Sequence, residues 1–221
     1  VAETTKAFTD YFGKFGFAFA RVEAKPEIDR QNNRVQFVLQ AEPSRRAYVR
    51  RILVSGNNRT RDEVIRREFR QFEGSWYDGE KIKVSRDRVE YLGFFKEVTV
   101  DTPEVPTSTD QVDVNLSVTE KPTGNIMLGA GFSSSERLTL TGSVNQANAF
   151  GTGNNIGISV NTSKVFRTIA ISHTNPYFTE DGVSRTYEVF LRTARPPYYL
   201  LNTTDYKIET KGANVNFGVP V

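Results

Sequence analysis

The sequence has no cysteine, one histidine, one methionine and one tryptophan in 221 residues. Without cysteine there is no disulfide scaffold, no thiol nucleophile and no thiolate metal site. His173 alone cannot supply a triad or a zinc centre, and it reads as an ordinary strand residue. There is no run of about 18 apolar residues, so no helix of this chain crosses a bilayer. That test does not bear on membrane strands, which are only half apolar. The short glycine runs at 129–131 and 151–153 do not open helices, as a phosphate loop requires. Asp101, Glu104, Asp110 and Asp113 surround a loop and read as a solvated face. The net charge is a mild +3, yet residues 45–70 hold nine arginines against three acids. This predicts a basic patch facing a partner. Nucleic acid is a poor candidate for that partner, because stacking aromatics and a matching motif are missing. The chain starts at Val1 with no signal peptide, which points to a piece of a longer protein.

The first half alternates helix and strand signals. Ala7, Phe8, Tyr11, Phe12 and Phe15 share one face of a helix over 3–15. Gly13 and Gly16 mark its end. Strands are predicted over 17–25 and 34–41, with the turn-rich EIDRQNN between them. Another strand is expected over 46–54. Thr60 and Glu63 have capping-box spacing, which predicts a helix over 61–69 with Thr60 just before it. Val64, Ile65 and Phe69 form its apolar side, leaving Arg61, Arg66, Arg67 and Arg70 for solvent or a partner. A second helix is predicted over 80–92 and capped at Gly93. A hairpin over 94–101 and 111–118 follows. The pattern of helix end, glycine, aromatics and two strands occurs twice. The repeating unit reads as β-α-α-β-β, with the chain opening inside one copy.

From Gly124 onward no helix signal returns. The stretch GNIMLGAGF places Ile126, Leu128, Ala130 and Phe132 on alternate positions. Five more alternating segments follow, over 137–147, 154–164, 166–174, 184–193 and 205–219. Their apolar sets include Leu138, Leu140 and Val144, then Ile156, Ile158 and Val160, then Ile169 and Ile171, then Tyr187, Val189 and Leu191. The opposite face carries Asn161, Glu188 and Arg192 among small residues, which a soluble core rarely buries. In the last segment one parity runs from Lys207, Glu209 and Lys211 to Ala213, Val215 and Phe217, as a face passing from water into lipid would. Alternation alone also fits a soluble antiparallel sandwich. The fold class expected is α+β followed by antiparallel strands forming the first part of a transmembrane β-barrel.

Taken together, GNNRTRDEVIRREFRQFEGSWYDGEKI, YLGFFKEV, PTSTDQVDVNLSVTEKPTGN, FGTGNNIGI and TNPYFTEDGVS resemble the BamA-type outer-membrane protein assembly family. The resemblance covers essentially the whole chain. It implies the end of a penultimate POTRA domain over 1–42, the last POTRA domain over 43–121, and the first six barrel strands over 122–221. It implies a non-enzymatic insertase subunit without cofactor or metal, in the outer membrane with its POTRA domains in the periplasm. The partners implied are a BamD-type lipoprotein and other assembly lipoproteins, unfolded barrel clients and outer-membrane lipid. Arg66, Arg67, Arg70 and Glu73 are the docking residues it implies. A strand edge over Asn125, Ile126, Met127, Leu128, Gly129, Ala130 and Gly131 is the implied lateral gate, to which a client strand would add. The rival readings are a secretion transporter of the same superfamily and a soluble periplasmic binding protein with a sandwich domain.

Overall fold

A computed structural model describes residues 1–30, 34–134, 136–195 and 206–220. The chain divides into two compact units: Val1–Asn58 with Asp62–Lys121, and Arg59–Arg61 with Pro122–Val221.

The first unit opens with α1 (Ala2–Gly13), then the antiparallel pair β1 (Arg21–Asp29) and β2 (Arg34–Glu42). β1 begins four residues later than the pattern predicts. Gly16 has φ +93, and the amides of Ala18 and Ala20 close turns on Gly16 and Phe17, so residues 17–20 bend instead of extending. The turn residues 31–33 lie outside the described residues. The expected apolar face of α1 is largely uncovered: Phe8, Tyr11 and Phe15 are exposed, and only Phe12 is partly buried.

β3 (Tyr48–Ser55), α2 (Asp62–Arg66), α3 (Gly79–Tyr91), β4 (Phe95–Asp101) and β5 (Gln111–Glu120) complete the first unit. Their strands form a sheet in the order β3-β5-β4, with β3 parallel to β5 and β4 antiparallel. Val112, Val114, Leu116 and Val118 alternate along β5, and all are buried. Val64 and Ile65 of α2, and Ile82 and Val89 of α3, are buried as well. Each such side chain contributes about 1.5–3 kcal/mol relative to exposure. Asp78 caps α3 by accepting from the amides of Glu80 and Lys81, and Gly93 follows its end at φ +73.

The helix predicted over 61–69 is shorter than expected. α2 spans only Asp62–Arg66, and tighter turns carry the chain on through Glu68 and Phe69. Thr60 lies outside it and is buried. Its hydroxyl accepts from Asn148 Nδ2 at 2.8 Å, which groups Arg59–Arg61 with the second unit. The Arg61 amide also donates to the Gly151 carbonyl there.

The second unit is one antiparallel sheet ordered β11-β10-β9-β8-β7-β6. Its strands are β6 (Gly124–Ser133), β7 (Arg137–Ala149), β8 (Asn154–Thr162), β9 (Phe166–Asn175), β10 (Ser184–Ala194) and β11 (Ile208–Gly218). They run 9 to 13 residues, long enough to cross the hydrocarbon at a tilt, which takes about 9–11. The register sets Ile126, Val144, Ile158, Ile171, Val189 and Ala213 in one continuous row. The opposite face carries Asn125, Asn145, Gly157, Ser172, Glu188 and Asn214 in register. A sandwich would divide these strands between two layers. Here all six share one sheet, with an apolar face that is 71% exposed at Ile126 and 83% at Leu128. Patches of this kind on a soluble monomer mark a binding or membrane surface.

Candidate functional site

Two of the predicted docking residues, Arg66 and Glu73, meet at the outer edge of β3. One side of β3 pairs with β5, while the other meets the loop after α2. The Val49 amide donates to the Ser75 carbonyl at 3.0 Å, and the Gly74 amide donates to the Val49 carbonyl at 2.7 Å. Tyr48 stacks on Trp76 with ring centroids 4.0 Å apart. At Ile52 two side chains take over the role of a neighbouring strand. Glu73 Oε1 accepts from the Ile52 amide at 2.7 Å. Arg66 donates to the Ile52 carbonyl at 2.9 Å. Arg66 also lies 3.3 Å from Asp62 and 3.7 Å from Glu73. The pair thus satisfies both backbone groups of an edge residue that would otherwise be open. Ile52, Arg66, Phe69, Gln71, Phe72 and Glu73 line a recess of about 310 Å3. Phe72 stands 68% exposed at its rim.

Arg70 is exposed, as expected. Arg67 is not on that open surface. It is partly buried, and its Nε lies 3.9 Å from Glu68. Glu68 is buried and also accepts from Arg88 at 2.7 Å. An inward carboxylate draws both arginines towards the core, because a buried charge needs a partner.

Two residues of this site escape a reading of periodicity. Gln71 is buried, and its Nε2 donates to Ser75 Oγ at 2.7 Å and the Trp76 carbonyl at 2.9 Å. Its Oε1 accepts from the Asp78 amide at 3.1 Å. One side chain therefore shapes the loop that borders β3. Phe72 lies one position beyond it, and its exposure could have been suspected only from the neighbouring arginines.

The second predicted site is β6. It stands at one end of the six-stranded sheet and pairs with β7 alone among the described residues. Asn125 to Gly131 therefore carry an open strand edge, and all of them are exposed. Gly129 allows a close approach: a Cβ there would lie 2.6 Å from Thr141 Oγ1. Ile126 and Leu128 lie on the apolar face, Asn125 and Met127 on the other.

The near end of the sheet, where the chain enters from Pro122, has an aromatic fringe. Arg185 stacks over Phe178 at 3.8 Å and Tyr187 at 4.7 Å. Phe178 also meets Phe217, with centroids 6.1 Å apart. Such rings suit the interface between hydrocarbon and water. His173 sits between Ile156 and Tyr187 in the register. Among the described residues no cluster of three metal-ligating side chains occurs.

Residues 47–121 match the POTRA family, described as a surface antigen variable number repeat. Residues 148–221 match the Omp85 superfamily domain. The chain is 40% identical over 209 residues to the outer membrane protein assembly factor BamA of Neisseria meningitidis serogroup B, covering 95% of this chain and 26% of that protein. It superposes on BamA from Haemophilus ducreyi lacking POTRA domains 1–3 with a TM-score of 0.88 and 30% identity, over 98% of this chain and 40% of that one. CdiB from Escherichia coli shares the fold alone, with a TM-score of 0.53 and 16% identity over 98% of this chain and 39% of that one. The chain thus spans about a quarter of the curated relative's length. A POTRA domain in the first unit and an Omp85 sheet in the second are the two parts of one architecture, found at the outer membrane with POTRA domains in the periplasm. The chain belongs to the BamA-type outer-membrane protein assembly family.

Proposed function

We propose that this chain is part of the central subunit of the machinery that folds and inserts β-barrel proteins into the outer membrane. On this reading residues 1–42 are the end of a penultimate POTRA domain, which explains the uncovered face of α1. Residues 43–121 are the last POTRA domain, and residues 122–221 begin the barrel. The observation that carries the proposal is that β6, the strand that follows the POTRA domain through a short linker, pairs on one side only among the described residues, as β11 does at the other end of the sheet. A client strand pairing with Asn125–Gly131 satisfies its backbone groups before they meet lipid, where each unpaired group costs several kcal/mol. The barrier to insertion falls without nucleotide hydrolysis, and the role is not enzymatic.

The recess around Glu73 is the docking site for a BamD-type lipoprotein in this proposal. Arg66 and Glu73 hold the β3 edge, while Arg70 and Phe72 are accessible to a partner. Two experiments on the full-length protein test the two halves. A reconstituted client barrel is expected to insert faster into vesicles holding the full-length protein and its lipoproteins than into empty ones. Equal rates would contradict the insertase role. Glu73→Lys is expected to abolish lipoprotein co-purification while the protein stays folded; retained binding would contradict the docking site.

A further inference from the structure

The two ends of the six-stranded sheet differ in charge. At the near end, the turn between β9 and β10 carries Glu180 and Asp181. At the far end, Lys164, Arg167, Arg195 and Lys207 line one cavity of about 250 Å3. The β8–β9 turn and the end of β10 are tied together there. The Arg195 amide donates to the Val165 carbonyl at 2.6 Å, and the Ser163 amide to the Phe166 carbonyl at 2.7 Å. Thr162, Ser163 and Thr193 add hydroxyls to the wall. The described acids nearby are two. Glu136 accepts from Thr139 at 3.3 Å, and Glu209 pairs with Lys207.

Along β8 to β11 the cations begin where the apolar set ends, while on β6 and β7 that set runs on through Leu140, Leu138 and Phe132. Arg167 shares a row with Ala130, Leu140, Thr162, Thr193 and Glu209, two residues along each strand from the row of Leu128, Val160, Ile169 and Leu191. Lys211 closes that last apolar row. In a membrane-spanning sheet of tilted strands, the end of the apolar set on β8 to β11 marks the headgroup level on those strands. Phosphate is the anion that clustered lysine and arginine recognise best, with arginine offering paired donors. Basic clusters at that depth gain roughly 1 kcal/mol per residue from anionic headgroups.

We propose that Lys164, Arg167, Arg195 and Lys207 form a binding site for the phosphate of a lipid headgroup, in the leaflet at the end of the sheet opposite the one the chain enters from Pro122. The proposal rests on the sheet spanning the membrane. The site would hold an anionic lipid against the barrel wall beside β8 to β11, away from the β6 edge.

The test uses the full-length protein in phosphatidylcholine nanodiscs doped with diphosphoryl lipid A. Native mass spectrometry reads the lipid that stays bound. The triple variant Lys164→Gln, Arg167→Gln, Arg195→Gln is expected to lower lipid A affinity by at least about tenfold, given the contribution of each charge. Arg185→Gln at the opposite end is expected to leave it unchanged, and added salt to weaken it. Undiminished affinity in the triple variant overturns the proposal, as does an equal loss in Arg185→Gln. Equal binding of lipid A stripped of its phosphates also overturns it. Displacement by inorganic phosphate at matched ionic strength would mean a free-anion pocket and overturn it too. If the protein does not insert into nanodiscs, the membrane-spanning reading fails, and the site falls with it.

Discussion

The Glu73 carboxylate is already engaged within its own domain before any partner arrives. It accepts from the Ile52 amide, and Arg66 takes the carbonyl of the same residue. Glu73→Gln keeps an acceptor at that position and Glu73→Ala does not. The account therefore predicts slow amide exchange at Ile52 in Glu73→Gln and faster exchange in Glu73→Ala, with the lost bond contributing about 1 kcal/mol. Equal exchange in the two variants would contradict the brace. Gly56 shows a second constraint at this scale. Its φ is +86, and a Cβ there would lie 2.0 Å from the Val118 carbonyl oxygen. Gly56→Ala must strain its backbone or push β5 away. It is expected to cost about 1–3 kcal/mol, the scale of one strained position, and thermal unfolding would read it. An unchanged melting temperature would contradict this packing.

At the scale of elements, the parallel contact of β3 with β5 is reinforced from outside by Arg50, whose Nε donates to Asp113 at 2.8 Å. The hydrogen bond from Arg50 holds the Asp113 carboxyl below its usual range, against a smaller opposing effect of burial. Because the folded group titrates lower than the unfolded one, its stabilisation is present above the ordinary carboxylate value of about 3.9 and is lost as pH falls through the depressed value. Amide exchange along β3 and β5, corrected for its intrinsic pH dependence, is expected to hold down to that ordinary value and to quicken below it. In Arg50→Gln the folded and unfolded values converge, and the quickening below the ordinary value is expected to shrink. An undiminished quickening in the variant would contradict the link. The elements themselves were legible in the sequence wherever one face is buried or uniformly apolar. β5 with its four buried alternating residues and the six later strands are the clear cases. Legibility failed where tertiary contacts override local pattern. Thr60 has the spacing of a cap, and the spacing does not reveal that its hydroxyl accepts from Asn148, 88 positions away. Residues 17–20 have strand composition, but the turn at Gly16 bends them. Arg67 looks like a surface residue on a helical wheel, and Glu68 pulls it inward. Of the docking site, the charged residues could be named from sequence. The part played by Gln71 could not, because it depends on where the loop after it folds back.

Across the whole molecule, an α+β unit with a buried core is joined to a sheet whose apolar face has no covering layer among the described residues. Among the described residues the first of these strands pairs on one side only, and its other edge is the centre of the proposed function. Pairing with it is a statement about register, so crosslinking tests it most directly. Single cysteines are placed at Asn125 through Gly131 of the full-length protein, against cysteines along a terminal strand of a client stalled during assembly. The account predicts disulfides within this stretch, with the partner position shifting by one residue for each residue moved along β6. No crosslink anywhere from Asn125 to Gly131, or crosslinks without a fixed register, would contradict it.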